Sequence, residues 1–186
     1  MTCHGGFSLD EATRRTWYEP EAILKGIGLS AGMVFIDVGS GGGFFTLLAA
    51  EVVGKKGIIF AVDTDSKAIE RLKAEVARKS LINIKTKVGI AEETVFCNAC
   101  ADIVFYSMVL HDFNDPLQVL QNAKKMLKLN GKLVDLDWKK KQMSFGPPEH
   151  IRFSEKKAAD LAMQAGFTIE SIKEAGPHHY VLIAKS

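Results

Sequence analysis

The sequence predicts an α/β domain built on a doubly wound, mostly parallel sheet, and three observations predict it. From residue 33 onward, short apolar, β-branched runs alternate with amphipathic segments, the pattern of strands with helices covering both faces of a sheet. One run, Val34–Val38, leads into a glycine-rich turn, 39–43, that opens an apolar helix. Two final runs, Phe167–Glu174 and His179–Lys185, read as a closing pair of strands. With 186 residues, 47% of them hydrophobic, the chain suits one domain over 1–186 that buries a full core.

Each element has a local reason. Pro20–Gly26 reads as a helix ahead of the first strand, 33–38, so 1–30 forms an N-terminal helical cover and 31–186 the core. The helix at about 43–53 is apolar nearly all round, which predicts burial. Gly57–Asp63 is the second strand. Asp65 then caps a helix whose stripe is Ile69, Leu72 and Val76. Strands follow at 83–88 and 102–107. Asp115 as N-cap, Pro116 at the first helical position and Gln118 two further on start the next helix, with Asn130-Gly131 as its stop. A fifth strand runs over 132–138, and Ser154 caps a last helix ending at Gly166. The 139–153 connection is long beside a median of about 4–6 residues, which suggests part of a substrate lid.

Composition narrows the function classes. The net charge is +2, from 24 basic and 22 acidic residues, so no strong field favours nucleic acid, and small-molecule partners are expected. No run approaches the roughly 20 apolar residues of a membrane span. The start, Met1 to Gly6, lacks a charged and then apolar leader, so the expected location is cytoplasmic. Three cysteines at unrelated spacings do not make a secreted disulfide framework. Cys97 and Cys100 form a lone C-x-x-C, a weak zinc or redox signal, and are expected to be structural thiols at the amino edge of the sheet. The scattered histidines show no ligand spacing, so no metal is expected.

The glycine turn carries the chemistry. Its spacing is Gly39, Gly41, Gly43, and Phe44 stands where a dinucleotide fingerprint needs its third glycine. Asp37, two residues ahead, would repel a pyrophosphate but suits an ammonium group. S-adenosylmethionine has that group and no phosphate. The glycines let backbone approach such a ligand, and free N–H groups at the helix start can receive its carboxylate. Asp63, at the end of the second strand, can accept from both ribose hydroxyls. Each acid also has a plainer reading, Asp37 as a cap for turn amides and Asp63 as a helix-capping acid.

With these two acids and the glycines, the chain over roughly residues 30–186 resembles the class I S-adenosylmethionine-dependent methyltransferases, small single-domain type near the ubiquinone/menaquinone-biosynthesis enzymes. The resemblance implies a Rossmann-like sheet of seven strands with the last one antiparallel, a number the seven apolar runs match. In such a sheet the ligand lies outside the carboxyl ends of the strands. The cofactor-binding set implied is Asp37, Gly39, Ser40, Gly41, Gly43, Phe44, Asp63, Thr64, Ile90, Ala91 and Ser107. These enzymes often carry Gly-Asp-Ala after the third strand, where this chain has Gly89-Ile90-Ala91, so backbone and the Ile90 face would meet the adenine.

Val109-Leu-His-Asp-Phe-Asn-Asp115 is similar to the His-Asp-Trp-Ser-Asp segment of plant-type O-methyltransferases, which implies His111 as general base; Asp112 either orients it or faces solvent. Substrate candidates are Trp17, Asp137 and His150; the segment around Trp17 forms a lid or packs on the sheet edge. His178 and His179 are expected to start the last strand away from the active edge. The resulting expectation is methyl transfer from S-adenosylmethionine, giving S-adenosylhomocysteine, to oxygen or activated carbon of a small molecule. The alternatives are a non-catalytic S-adenosylmethionine-binding subunit or sensor, a nicotinamide-dependent reductase, and an arsenite methyltransferase using Cys97, Cys100 and Cys3.

Overall fold

The computed structural model describes residues 11–186; Cys3 and the leader reading of Met1 to Gly6 lie outside the described residues. One seven-stranded sheet has the order β3-β2-β1-β4-β5-β7-β6, with β1 Val34–Val38, β2 Ile58–Asp63, β3 Ile84–Val88, β4 Ala101–Ser107, β5 Leu127–Trp138, β6 Thr168–Ala175 and β7 His179–Lys185. β1 to β5 pair in parallel, whereas β7 runs antiparallel to both β5 and β6. The chain starts in the middle at β1, moves outward to β3, then returns past β1 to β4. That reversal leaves a crevice between the carboxyl ends of β1 and β4.

The helices are α1 Glu11–Arg15, α2 Pro20–Gly26, α3 Phe44–Val53, α4 Ser66–Arg78, α5 Pro116–Met126 and α6 Glu155–Gln164. Their caps are those the sequence predicts. Asp65 accepts from the Lys67 amide, Asp115 from Gln118 and Ser154 from Lys157. Strand side chains alternate between two cores. Val104 and Tyr106 of β4 join Leu120 and Ala123 of α5 and Ala158 and Ala162 of α6 on one face. Ile103 and Phe105 join Phe45 and Ala49 of α3 and Leu24 of α2 on the other.

Three expectations are corrected. α5 ends at Met126, not at Asn130-Gly131, because Leu127 turns extended and pairs with Ala101, so β5 begins five residues early. The register shifts before Ile103 meets Lys132, and Asn130, at φ 63°, lies in that irregularity. Cys97 and Cys100 are joined as a disulfide rather than standing as thiols, just ahead of β4 and so at the amino edge. Finally, an antiparallel last strand begins where its neighbour ends. His179 therefore pairs with Trp138, which puts it on the carboxyl edge with the candidate site.

Candidate active site

The turn after β1 is shaped by backbone that L-residues rarely adopt. Gly39, Gly41 and Gly43 have φ of 74°, 53° and 91°. A Cβ on Gly39 would stand 2.7 Å from Val109 in the loop after β4, and one on Gly43 would overlap Leu72 of α4. Beneath the turn, Asp37 is 1% exposed. Its Oδ2 accepts from Thr46 Oγ1 at 2.6 Å, while Oδ1 and the nearby Ser40 hydroxyl have no partner among the described residues. Burial pushes the Asp37 carboxyl up to about 6, against the opposing pull of the Thr46 hydrogen bond and the Arg14 charge.

Asp63 closes the other side of the turn. One oxygen accepts from the Gly41 amide at 2.8 Å and the other from the Asp65 amide at 2.9 Å, so each keeps a lone pair for a hydroxyl donor. Thr64 is exposed; Ile90 is 46% exposed and flanked by buried Ala91, giving an apolar face at the end of β3. Arg14 of α1 lies across the crevice, with its guanidinium 4.1 Å from the Phe44 ring centroid and donating to Ser107 Oγ at 2.9 Å. Sequence reasoning missed Arg14, since nothing local separates it from Arg15.

His111 sits in a short 3-10 turn after β4, with its side chain buried. Its Nδ1 lies 2.8 and 2.9 Å from the two Asp137 oxygens, and Asp137, at the end of neighbouring β5, is fully buried. A carboxylate can only accept, so Nδ1 donates and Nε2 is left with the lone pair. Burial pulls the imidazole pKa down, but the Asp137 carboxylate, its hydrogen bond and Asp112 together hold it above its ordinary value. The solvent-facing reading of Asp112 holds here, and the expectation for Asp137 changes. Asp112 is exposed, with Oδ1 3.6 Å from Nε2, too far to orient the ring. Asp137 holds the ring instead, and its oxygens are engaged by His111 Nδ1 and the Trp138 amide rather than left for a substrate.

On the opposite face of the same edge stands a cluster of rings. Trp138 lies 4.2 Å from His179 and 5.3 Å from Trp17 between centroids, and Trp17 stacks on Phe145 at 5.4 Å. Phe145 belongs to the 139–153 loop, which Arg152 secures from within. Arg152, a residue 2% exposed, donates from its guanidinium to the carbonyls of Lys141, Phe145 and Pro147. Trp17 is thus brought into the site region together with Trp138, Phe145 and His179. His150 is turned to solvent at the tip of the loop and takes no part in the ring cluster, because the Arg152 contacts fold the loop around its own carbonyls.

The donor and acceptor set of the crevice fits a cofactor with a cationic group, a vicinal diol and a flat base. The unpaired Asp37 oxygen suits the first, the spare lone pairs of Asp63 the second, and the exposed Ile90 face the third. Comparison with known proteins agrees. A family model described as a methyltransferase domain matches residues 29–177. A solved structure of an S-adenosylmethionine-dependent methyltransferase from Aquifex aeolicus superposes with a TM-score of 0.90 at 28% identity, covering 95% of this chain and 94% of that one. A probable cobalt-precorrin-6B C(15)-methyltransferase (decarboxylating) from Sulfurisphaera tokodaii is 33% identical over 104 residues, 55% of this chain and 52% of that protein. A demethylmenaquinone methyltransferase from Staphylococcus aureus is 30% identical over 115 residues, 62% and 47% respectively. The chain spans about half the length of these curated relatives.

Proposed function

The chain belongs to the class I S-adenosylmethionine-dependent methyltransferase family, and on that premise we propose that it moves a methyl group from S-adenosylmethionine to oxygen or activated carbon of a small molecule, with His111 as general base. The observation that carries this reading is the His111–Asp137 pair at the carboxyl ends of β4 and β5, beside the glycine turn.

Asp37 and Ser40 would hold the amino-acid end of the cofactor, Asp63 its ribose, and Ile90 with Ala91 its base. When bound, the cofactor supplies an electrophilic methyl group on a sulfonium. The protein's share is placement, exclusion of water and removal of one proton. Asp137 holds Nδ1–H of His111, which aims the Nε2 lone pair and stabilises the imidazolium formed when that nitrogen takes the acceptor's proton. Arg14 and Ser107 roof the crevice between the two halves of the site.

The test is transfer of labelled methyl from S-adenosylmethionine into a cell extract separated into organic, small polar and acid-precipitable fractions. Label in a small-molecule fraction, lost in His111→Ala while S-adenosylhomocysteine binding persists, supports the reading. Label only in the precipitate would redirect it to protein or RNA, and unchanged turnover in His111→Ala would remove the base.

A further inference from the structure

The rings at the head of β7 include buried polar atoms that the proton transfer leaves unused. His179 is fully buried, yet neither of its ring nitrogens has a hydrogen-bond partner among the described residues, and Nδ1 of adjacent His178 is likewise unpaired. Buried polar groups are nearly always matched, so an orphaned imidazole on the functional edge of the sheet points to a ligand atom as its partner. The position suits an acceptor. His179 pairs with Trp138, the neighbour of Asp137 in β5, so it lies one residue along the strand from the His111 pair and on the opposite face.

The surroundings say what kind of acceptor. Trp17 and Phe145 are nearly parallel, at 15°, and present flat faces that a planar ring can join or replace. The charges nearby are chiefly positive. Arg152 lies 5.4 Å from the Trp138 ring centroid, and Lys139 and Lys141 reach the carbonyls of Gly176 and Pro177 in the turn before His178. Lys139 also pairs with the exposed Glu174. Burial, and then Lys141, Lys139 and Arg152 around His178 and His178, Arg14, Arg152 and Lys139 around His179, hold both histidines below the ordinary imidazole range, so each is neutral and keeps one N–H to give and one lone pair. Such a setting disfavours an amine and favours an acidic group.

We propose that His179 binds the methyl acceptor, and that the acceptor is a flat aromatic ring bearing a carboxylate, stacked among Trp17, Trp138 and Phe145 with a carboxylate oxygen accepting from the His179 N–H. The inference rests on the methyl-transfer reading above. Its test uses two probes with the same catechol ring and opposite charge, 3,4-dihydroxybenzoate and dopamine, titrated calorimetrically into protein saturated with S-adenosylhomocysteine. The acid is expected to bind about tenfold or more tighter than the amine, and His179→Phe to weaken the acid by about tenfold, the scale of one lost buried hydrogen bond, with S-adenosylhomocysteine affinity unchanged.

Equal or better binding of dopamine, or an unaltered affinity in His179→Phe, overturns the proposal. So does failure of both probes to bind a protein that binds S-adenosylhomocysteine, an outcome that leaves the methyl-transfer reading standing. Failure to bind S-adenosylhomocysteine at all would instead bring down that reading and the proposal with it. Should His179→Phe fold poorly, the imidazole 15N resonances of His179 in the wild-type protein decide, since they must shift as 3,4-dihydroxybenzoate saturates and unmoved resonances overturn the assignment.

Discussion

On the proposed reading, Asp37 sets folding against function within one side chain. Its carboxyl is raised to about 6 by burial, so the stability it contributes is present below the unfolded value near 3.8 and is lost as pH rises through about 6. At neutral pH the folded protein therefore carries a poorly matched buried anion, a burden on the order of 3 kcal/mol, which a bound ammonium group would relieve. Asp37→Asn keeps an oxygen for Thr46 and removes the charge. It is expected to raise the midpoint of urea unfolding at pH 7.5 and to weaken S-adenosylmethionine binding about tenfold or more, and a variant that is destabilised while binding normally would refute this. His111 yields a second expectation. Because Asp137 and Asp112 lift its pKa against burial, the acid limb of kcat/KM should lie above the ordinary value near 6.5. Asp137→Asn removes the main lift, so the limb should move to lower pH while kcat falls by about 10²–10⁴. As candidates, single residues of this kind were legible in sequence where the motif is local, as with Asp37, Asp63 and His111. The His111–Asp137 contact was not, because it joins residues 26 apart through the pairing of β4 and β5.

Among the elements, the 139–153 loop gains its shape from one buried cation. Arg152 is buried with carbonyl partners at Lys141, Phe145 and Pro147, and it lies over the Trp138 ring. Hydrogen bonds from a charged donor are worth about 1.5–3 kcal/mol each, and their loss strands buried carbonyls. Arg152→Met, similar in stem but without donors, should destabilise the protein by about 2–4 kcal/mol. Faster amide exchange confined to 139–153 beside unchanged S-adenosylhomocysteine affinity would locate the effect in the loop; uniform acceleration across the sheet would contradict it. The sequence showed that this connection was long, but gave no means of seeing that Arg152 would fold it around its own carbonyls. Helix starts were legible because Asp65, Asp115 and Ser154 act on their own first turns. The end of α5 was not, since Leu127 leaves the helix to pair with Ala101, a tertiary event that overrides the local Asn130-Gly131 signal.

At the scale of the molecule, the parallel sheet gathers the candidate cofactor residues on one edge, and the antiparallel β7 adds His179 to that edge. The architecture followed from the alternation of strand and helix patterns, yet the direction of β7 decides which end of it is functional, and that depends on the β5–β7 pairing. The same placement makes His179 a global determinant of acid stability. Buried and neutral, with its pKa pulled down to about 3, it stays unprotonated in the folded state at pH values where an unfolded histidine takes up a proton. A depressed folded-state pKa contributes stability that is complete above the unfolded value near 6.5 and falls with pH by about 1.4 kcal/mol per unit until the folded value is reached. Asp37, His111 and Asp135 are shifted upward and act in the opposite sense, so the total pH profile reflects their sum. Substitution separates the histidine's share. His179→Phe removes it, so acidification from pH 7.5 to 5 should cost the variant about 2 kcal/mol less than it costs the wild-type protein. Paired urea titrations at the two pH values measure this difference directly. Parallel pH dependence in the two proteins would mean that His179 protonates as readily in the folded state as in the unfolded chain, contrary to its burial without a partner.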